Sequence, residues 1–159
     1  MIRWLYNQLW HIAPLFIRRY LKKRAEKSVS YLEHWDERFG QKMSNPMRHP
    51  IWIHAVSVGE TRAAQPLIEA LQNHFPDAPL LLTQMTPTGR RTAQTLYPNA
   101  QCRYIPYDKP EWVEQFLNDH TPRFGILMET EIWPNLMHMC AKQQIPLFLA
   151  NARLSENSQ

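Results

Sequence analysis

From Pro50 onward, short apolar runs alternate with helix-length stretches, and this alternation restricts the fold more than any other feature of the chain. The runs are IWIHAV (51–56), LLLT (80–83), CRYI (102–105), FGILM (124–128) and PLFLA (146–150). Between them, at about 62–73, 88–97, 111–118 and 132–143, apolar residues recur at three- and four-residue spacing. Strands alternating with helices of this length imply βαβ crossovers and a parallel sheet. The runs are nearly continuous in apolar character, as expected of strands covered on both faces. The expected fold is therefore α/β, a Rossmann-like domain over residues 51–159, and 44% hydrophobic residues in 159 suffice for its core. Pro66 removes one helical hydrogen bond and predicts a kink or a late helix start.

Charge divides the chain. Residues 1–50 hold ten Lys/Arg against four acids, whereas the remainder holds eight against ten. A basic arm joined to a near-neutral globular part suits an anionic surface. The arm, residues 1–40, opens with MIRWLYNQLWHIAPLFI and continues into RRYLKKRAEK. A spanning helix needs about 20 largely apolar residues, and this run is shorter and interrupted by Arg3, Asn7, Gln8, His11 and Pro14. The charge follows the apolar stretch and no small-residue cleavage site comes after it, which argues against a signal peptide. An interfacial helix fits, with Trp4 and Trp10 at headgroup level and basic residues beside anionic lipid. The other reading is a soluble amphipathic helix packed on its own domain. No nucleic-acid-binding motif accompanies the basic cluster. QKMSNPMRHP (41–50) reads as a linker.

Ligands of open parallel sheets bind beyond the carboxyl ends of the strands. Those ends carry Ser57, Gly59 and Glu60; TQMTPTG (83–89); PYD (106–108); ETEIWPN (129–135); and NARLS (151–155). The first turn, SVGE, has one glycine where a dinucleotide fingerprint needs three, and there is no Walker loop. Glu60 is either a general base facing a cleft or an acid favoured by the start of a helix. Glu129 and Glu131, one residue apart, would share a side of an extended backbone and can divide roles or hold a cation or a hydroxyl; the plainer reading of Glu131 is a helix-start acid. Thr86, Thr88 and Gly89 suit a phosphate or sugar hydroxyl, or Thr86 is simply an N-cap before Pro87. Asn135 belongs to the same rim, and Arg153 meets a phosphate or carboxylate there or lies on the surface. Cys102 and Cys140 form no CxxC or Cys/His cluster, so neither a zinc site nor a disulfide framework is expected.

HAVSVGE, LLLTQMTPTGRR, PYDKP, METEIWPN and LANARLS, in this order and at about this spacing, resemble the N-terminal domain of bacterial 3-deoxy-D-manno-octulosonic acid (Kdo) transferases. WDERFG (35–40) resembles that family's segment between its membrane-proximal helix and first strand. The resemblance implies the N-terminal half of a GT-B glycosyltransferase at the cytoplasmic face of the bacterial inner membrane. Such enzymes move Kdo from CMP-Kdo to the lipid A precursor with inversion, so one base suffices and no cofactor or metal is implied. By resemblance Glu60 is the catalytic base and Glu129 a second functional acid, with Ser57, Gly59, Thr86, Thr88, Gly89, Glu131, Asn135 and Arg153 as candidate substrate contacts. Full members are much longer, and their C-terminal half holds most of the donor site. Transferase activity is therefore not expected of these 159 residues alone, since a base without a positioned donor forgoes a proximity advantage of about 7–11 kcal/mol. Two other readings are a non-catalytic lipid-binding module of the membrane surface and a different GT-B transferase with a lipid acceptor.

Overall fold

In the computed structural model, residues 2–129 and 133–151 are described. The N-terminal segment comprises α1 (Ile2–Leu9), α2 (Ala13–Ala25), a 3-10 turn (Val29–Leu32) and α3 (Trp35–Arg38). The sheet is built from β1 (Ile51–His54), β2 (Leu80–Gln84), β3 (Gln101–Tyr104), β4 (Phe124–Met128) and β5 (Leu147–Ala150). All neighbours are parallel, in the order β3-β2-β1-β4-β5, with Ile51 of β1 opposite both Leu80 and Phe124. The connections run through α4 (Val58–Ala63), α5 (Gln65–His74), α6 (Pro87–Leu96), α7 (Pro110–His120) and α8 (Pro134–Lys142). The fold is α/β and Rossmann-like, as the alternation requires.

Strand side chains alternate between faces, and here each face has its own core. Ile51, Ile53, Leu80, Leu82, Ile126 and Met128 meet Ala64, Ile68, Ala93 and Tyr97 from the helices α4 to α6. Trp52, Leu81 and Leu127 point the other way, onto Val113, Phe116 and Leu117 of α7 and Leu136 and Cys140 of α8. Trp52 lies flat against the sheet because Gly125 leaves room on β4: a Cβ there would come within 2.5 Å of the Trp52 ring and 2.8 Å of Leu147. The indole N–H of Trp52 donates to the Thr83 hydroxyl over 2.8 Å, so its one polar atom is satisfied although the side chain is fully buried.

Two details depart from the sequence reading. The helix expected at 62–73 begins earlier, at Val58, and is two helices that meet at Ala64, since Pro66 lies in the first turn of the second and has no N–H to continue the first. The fifth apolar run is the edge strand β5, where Phe148 and Leu149 are half exposed, so two-sided burial does not extend to it.

The N-terminal segment is packed on the sheet layer rather than free of it. Gly40 turns the chain after α3 with φ +58°, and the place its Cβ would occupy is taken by Trp112 of α7. Around that tryptophan stand Phe39 and Trp10, with ring centroids at 5.3 and 6.2 Å. Trp10 thus turns inward, while Trp4, Leu5, Leu9, Ile12, Leu15, Phe16 and Tyr20 are exposed. Residues 41–50 contain no helix or strand but are tied to the end of α7: Met43 N–H donates to Asp119 and His49 N–H to the His120 carbonyl. No helix among the described residues is long and apolar enough to cross a membrane.

The principal clamp is Glu37 of α3. Its buried carboxylate accepts from Arg90 of α6 at 2.6 and 3.1 Å, from Arg103 of β3 at 3.2 Å and from the Tyr104 N–H at 2.8 Å. Removing one partner of a buried ion pair typically costs about 3 kcal/mol or more, because the remaining charge is left without a counterion. Glu37→Ala is therefore expected to lower the free energy of unfolding by about that amount. It should also raise amide exchange across residues 13–40 ahead of the sheet, as measured by urea titration and hydrogen exchange. A change below 1 kcal/mol, roughly the range of exposed pairs, would contradict this assignment.

Candidate functional site

The carboxyl ends of β1, β2 and β4 open onto one rim, where the β1–α4 turn, the α6 start and the approach to α8 meet. Ser57 is extended (φ −124°, ψ 174°) and precedes the first helical residue, Val58. Its hydroxyl donates to Glu60 at 3.0 Å, and the Val56 N–H donates to the other Glu60 oxygen at 2.8 Å. Glu60 therefore reaches back to the strand it follows, as an acid in the third helical position does, and it is 8% exposed. Gly59 is exposed beside it.

The α6 start locks onto this turn. Thr86 is the N-cap: its hydroxyl accepts the Gly89 N–H at 3.0 Å and donates to the Val56 carbonyl at 3.3 Å. A Cβ at Gly89 would stand 3.2 Å from that carbonyl oxygen, so the glycine permits the close approach of the two turns. Thr88 is exposed, within 3.5 Å of the Thr86 hydroxyl. Ser57, Glu60, Thr86 and Gly89 thus form one hydrogen-bonded unit.

Glu129 follows β4 with its N–H bonded to the Ala150 carbonyl at 2.8 Å. Its φ is +61°, the left-handed region that a residue with a side chain occupies at a cost of about 1–2 kcal/mol. Strain of this kind is concentrated where function demands a particular placement. Glu131 and Arg153 lie outside the described residues. Asn135 is fully buried, and its amide donates to the Asp108 carbonyl at 2.7 Å, so this group is committed within the protein.

Sequence reasoning passed over Asp108 although it quoted PYD. The Asp108 carboxylate accepts the Asn135 and Leu136 N–H groups at 2.9 and 2.8 Å, capping α8, and the Tyr6 hydroxyl of α1 at 3.0 Å. Burial pushes its pKa up, against the pull of those three donors. Burial, with the neighbouring Asp108 carboxylate second, pushes the Tyr6 hydroxyl up to about 12. Arg38, equally unremarked, is 1% exposed, stacked 3.6 Å from the Tyr104 ring centroid and donating to the Met85 carbonyl.

Among the described residues, buried polar atoms without a hydrogen-bond partner include His54 Nε2, both Gln84 amide atoms and Asn135 Oδ1 toward the carboxyl ends of the strands, and further ones in Arg38, Arg90, Arg103, Gln101, His120, Asn7 and Trp10. Groups left in this state in a native fold mark a site that uses them or that holds water. No group of three His, Cys, Asp or Glu among the described residues is placed to hold a metal ion. Cys102 and Cys140 are buried thiols pushed up to about 11 and about 12, which makes them inert near neutral pH.

His54 ends β1 fully buried, with Nδ1 at 3.0 Å from the Thr83 hydroxyl and Trp133 edge-on at 5.8 Å. Burial lowers its pKa to about 4, against 6.5 for the free side chain. A histidine depressed in the folded state contributes stability that is complete above 6.5 and is lost as pH falls toward 4, because only the unfolded chain takes up the proton. The expected loss between pH 7 and pH 5 is about 2 kcal/mol. His54→Gln should flatten urea-derived stability over that interval, and equal slopes in the two proteins would refute the claim.

The profile of the family described as 3-Deoxy-D-manno-octulosonic-acid transferase (kdotransferase) matches residues 33–159. The 3-deoxy-D-manno-octulosonic acid transferase of Bordetella pertussis is 44% identical over 127 residues, 76% of this chain and 29% of that protein. That of Haemophilus influenzae is 37% identical over 161 aligned residues, 99% of this chain and 38% of that protein. A probable mitochondrial 3-deoxy-D-manno-octulosonic acid transferase of Arabidopsis thaliana is 33% identical, covering 97% of this chain and 35% of that protein. The chain spans about a third of the length of these curated relatives. With the match extending from α3 through the whole sheet, the chain belongs to the Kdo transferase family of glycosyltransferases, as its N-terminal domain.

Proposed function

We propose that this chain is the acceptor-binding half of an inverting GT-B Kdo transferase that moves Kdo from CMP-Kdo to the lipid A precursor. Glu60 is the general base in this reading. The observation that carries it is the fixed placement of the Glu60 carboxylate at the carboxyl end of β1, between the Val56 N–H and the Ser57 hydroxyl. Family membership supplies the reaction class. An inverting transfer needs one base to take the proton from the attacking sugar hydroxyl as the Kdo–phosphate bond breaks and CMP leaves. A base held by two hydrogen bonds on a helix and a strand is already positioned, which is the larger part of what such a residue contributes.

Glu129, strained and following β4 on the same rim, orients the acceptor or offsets charge near the reacting centre. Ser57, Gly59, Thr86, Thr88 and Gly89 surround the base as acceptor contacts, and Glu131 and Arg153, which lie outside the described residues, are further contacts in this reading. Asn135 contributes through the Asp108 loop it closes. In this reading the donor CMP-Kdo is held mainly by the part of the full-length relatives that lies outside the matched third of their length. No further cofactor takes part in this scheme.

The enzyme works at the cytoplasmic face of the inner membrane. The exposed apolar side chains of α1 and α2, Trp4 to Tyr20, adjoin the exposed Arg18, Arg19, Lys22, Lys23 and Arg24. Each basic side chain near an anionic surface contributes about 1 kcal/mol. Binding to vesicles containing phosphatidylglycerol should weaken in high salt and be lost when residues 1–27 are removed. Salt-insensitive binding that survives the deletion would overturn the interfacial role.

Joined to the C-terminal half of a relative, the chain should transfer Kdo to lipid A precursor. Glu60→Gln should lower kcat by a factor of about 100 or more with acceptor binding retained. Unchanged turnover in that variant would exclude Glu60 as the base.

A further inference from the structure

The helix α1 turns two faces to different surroundings. Tyr6 and Trp10, four residues apart and so on one side, point inward: the Tyr6 hydroxyl donates to Asp108 Oδ2 over 3.0 Å, and the Trp10 ring meets Trp112. Trp4, Leu5 and Leu9 stand exposed on the other side. A helix of eight residues is marginal in water on its own, and α1 has neither an acid in its first turn nor a base in its last to support it. Its seat therefore depends on what each face meets.

The inner contact falls on a carboxylate with another duty. Asp108 Oδ2 also accepts the Asn135 N–H at 2.9 Å, and Oδ1 accepts the Leu136 N–H at 2.8 Å. Trp133, the N-cap residue of α8, makes no side-chain cap bond of its own, so Asp108 supplies the cap. Trp133 packs edge-on against His54 at the end of β1, and β1 leads into the turn that holds Glu60. One bond at Tyr6 thus reaches the proposed base through a cap, a ring contact and a strand end.

We propose that Tyr6 is a positioning residue through which membrane contact by α1 sets the start of α8 and, with it, the Glu60 turn. An anionic bilayer covering the outer face holds α1 helical, keeps the Tyr6 hydroxyl on Asp108 and so tightens the cap. With that face bare, the bond opens more often. The inference rests on the interfacial reading above and adds its consequence for the site.

The test is hydrogen exchange of the 159-residue chain and of its Tyr6→Phe variant, with and without vesicles containing phosphatidylglycerol, while sedimentation of the vesicles reports binding in the same samples. In the parent chain, vesicles should slow exchange at the Asn135 and Leu136 amides about tenfold, the scale of one hydrogen bond to a charged group. Tyr6→Phe keeps the ring and loses the donor. It should bind vesicles as the parent does, exchange faster at those two amides and show no response there to vesicles. Exchange within β1, β2 and β4 should be the same in both chains, which separates a local cap from a general loss of stability. In the fusion with a relative's C-terminal half, Tyr6→Phe should lower kcat about fivefold or more with KM unchanged. The proposal is overturned by exchange at Asn135 and Leu136 that ignores vesicles or rises with them, by an equal response in the variant, by faster exchange spread over the strands, or by unchanged kcat. Vesicle binding without a response at those amides would remove the coupling and leave the interfacial reading, whereas absence of binding would remove both.

Discussion

One buried carboxylate, that of Glu37, joins three parts of the molecule that are distant in sequence: α3, which carries it, the α6 helix through Arg90, and the β3 strand through Arg103 and the Tyr104 N–H. Burying a charge is unfavourable unless it is matched and hydrogen-bonded, and each guanidinium here is matched only because Glu37 is in place. Arg38, the next residue, adds a second buried cation over the Tyr104 ring, and its carbonyl accepts the Tyr107 N–H. The WDER turn thus fills the space beyond β2 and β3 and gives the N-terminal segment a fixed seat. Without it, the sheet would keep its two cores, and the arm would rest on the Trp10–Trp112 contact and the Tyr6–Asp108 bond alone among the contacts described above.

From that seat a second connection runs to the candidate site. The Tyr6 hydroxyl of α1 donates to Asp108, and the same carboxylate caps α8 through Asn135 and Leu136. The residue before the helix, Trp133, packs its ring against His54 at the end of β1. The arm with the exposed apolar side chains is therefore linked by two hydrogen-bonded steps to the start of α8, and by one ring contact to the strand that leads to Glu60. A change in where α1 rests would be felt first at the Asp108 cap. The coupling is short and consists of directional bonds, so it fixes geometry more than it adds stability.

The sequence made the sheet legible because strand periodicity and helix spacing are local signals, and the near-continuous runs LLLT and FGILM stated two-sided burial directly. The Thr86 cap was legible for the same reason, since hydroxyl, Pro and Gly lie within four residues. Glu37, Arg90 and Arg103 were not, because the meaning of each depends on partners 53 and 66 residues away. Asp108 was hidden by its own sequence context: PYDKP reads as a turn, and only the approach of α8 shows which N–H groups the carboxylate receives. Asn135 is polar at a strand exit, and its amide N–H donates to the Asp108 carbonyl, a partner 27 residues away that its own sequence context does not show.

Glu60 combines the two readings its position first suggested. As a helix-start acid it accepts from Val56 and Ser57, and these bonds are the ordinary means of ending a strand and beginning a helix. A catalytic base requires the same thing for a different reason, namely that its oxygen be found in one place when the substrate hydroxyl arrives. A carboxylate on a loop would need additional supports to achieve this, whereas here the cap is the support. The close approach of α6 through Gly89 and Thr86 to the Val56 carbonyl then fixes the turn itself. Structural and catalytic roles are therefore not alternatives at this residue: the local hydrogen bonding that explains its presence in the fold also makes it usable as a base.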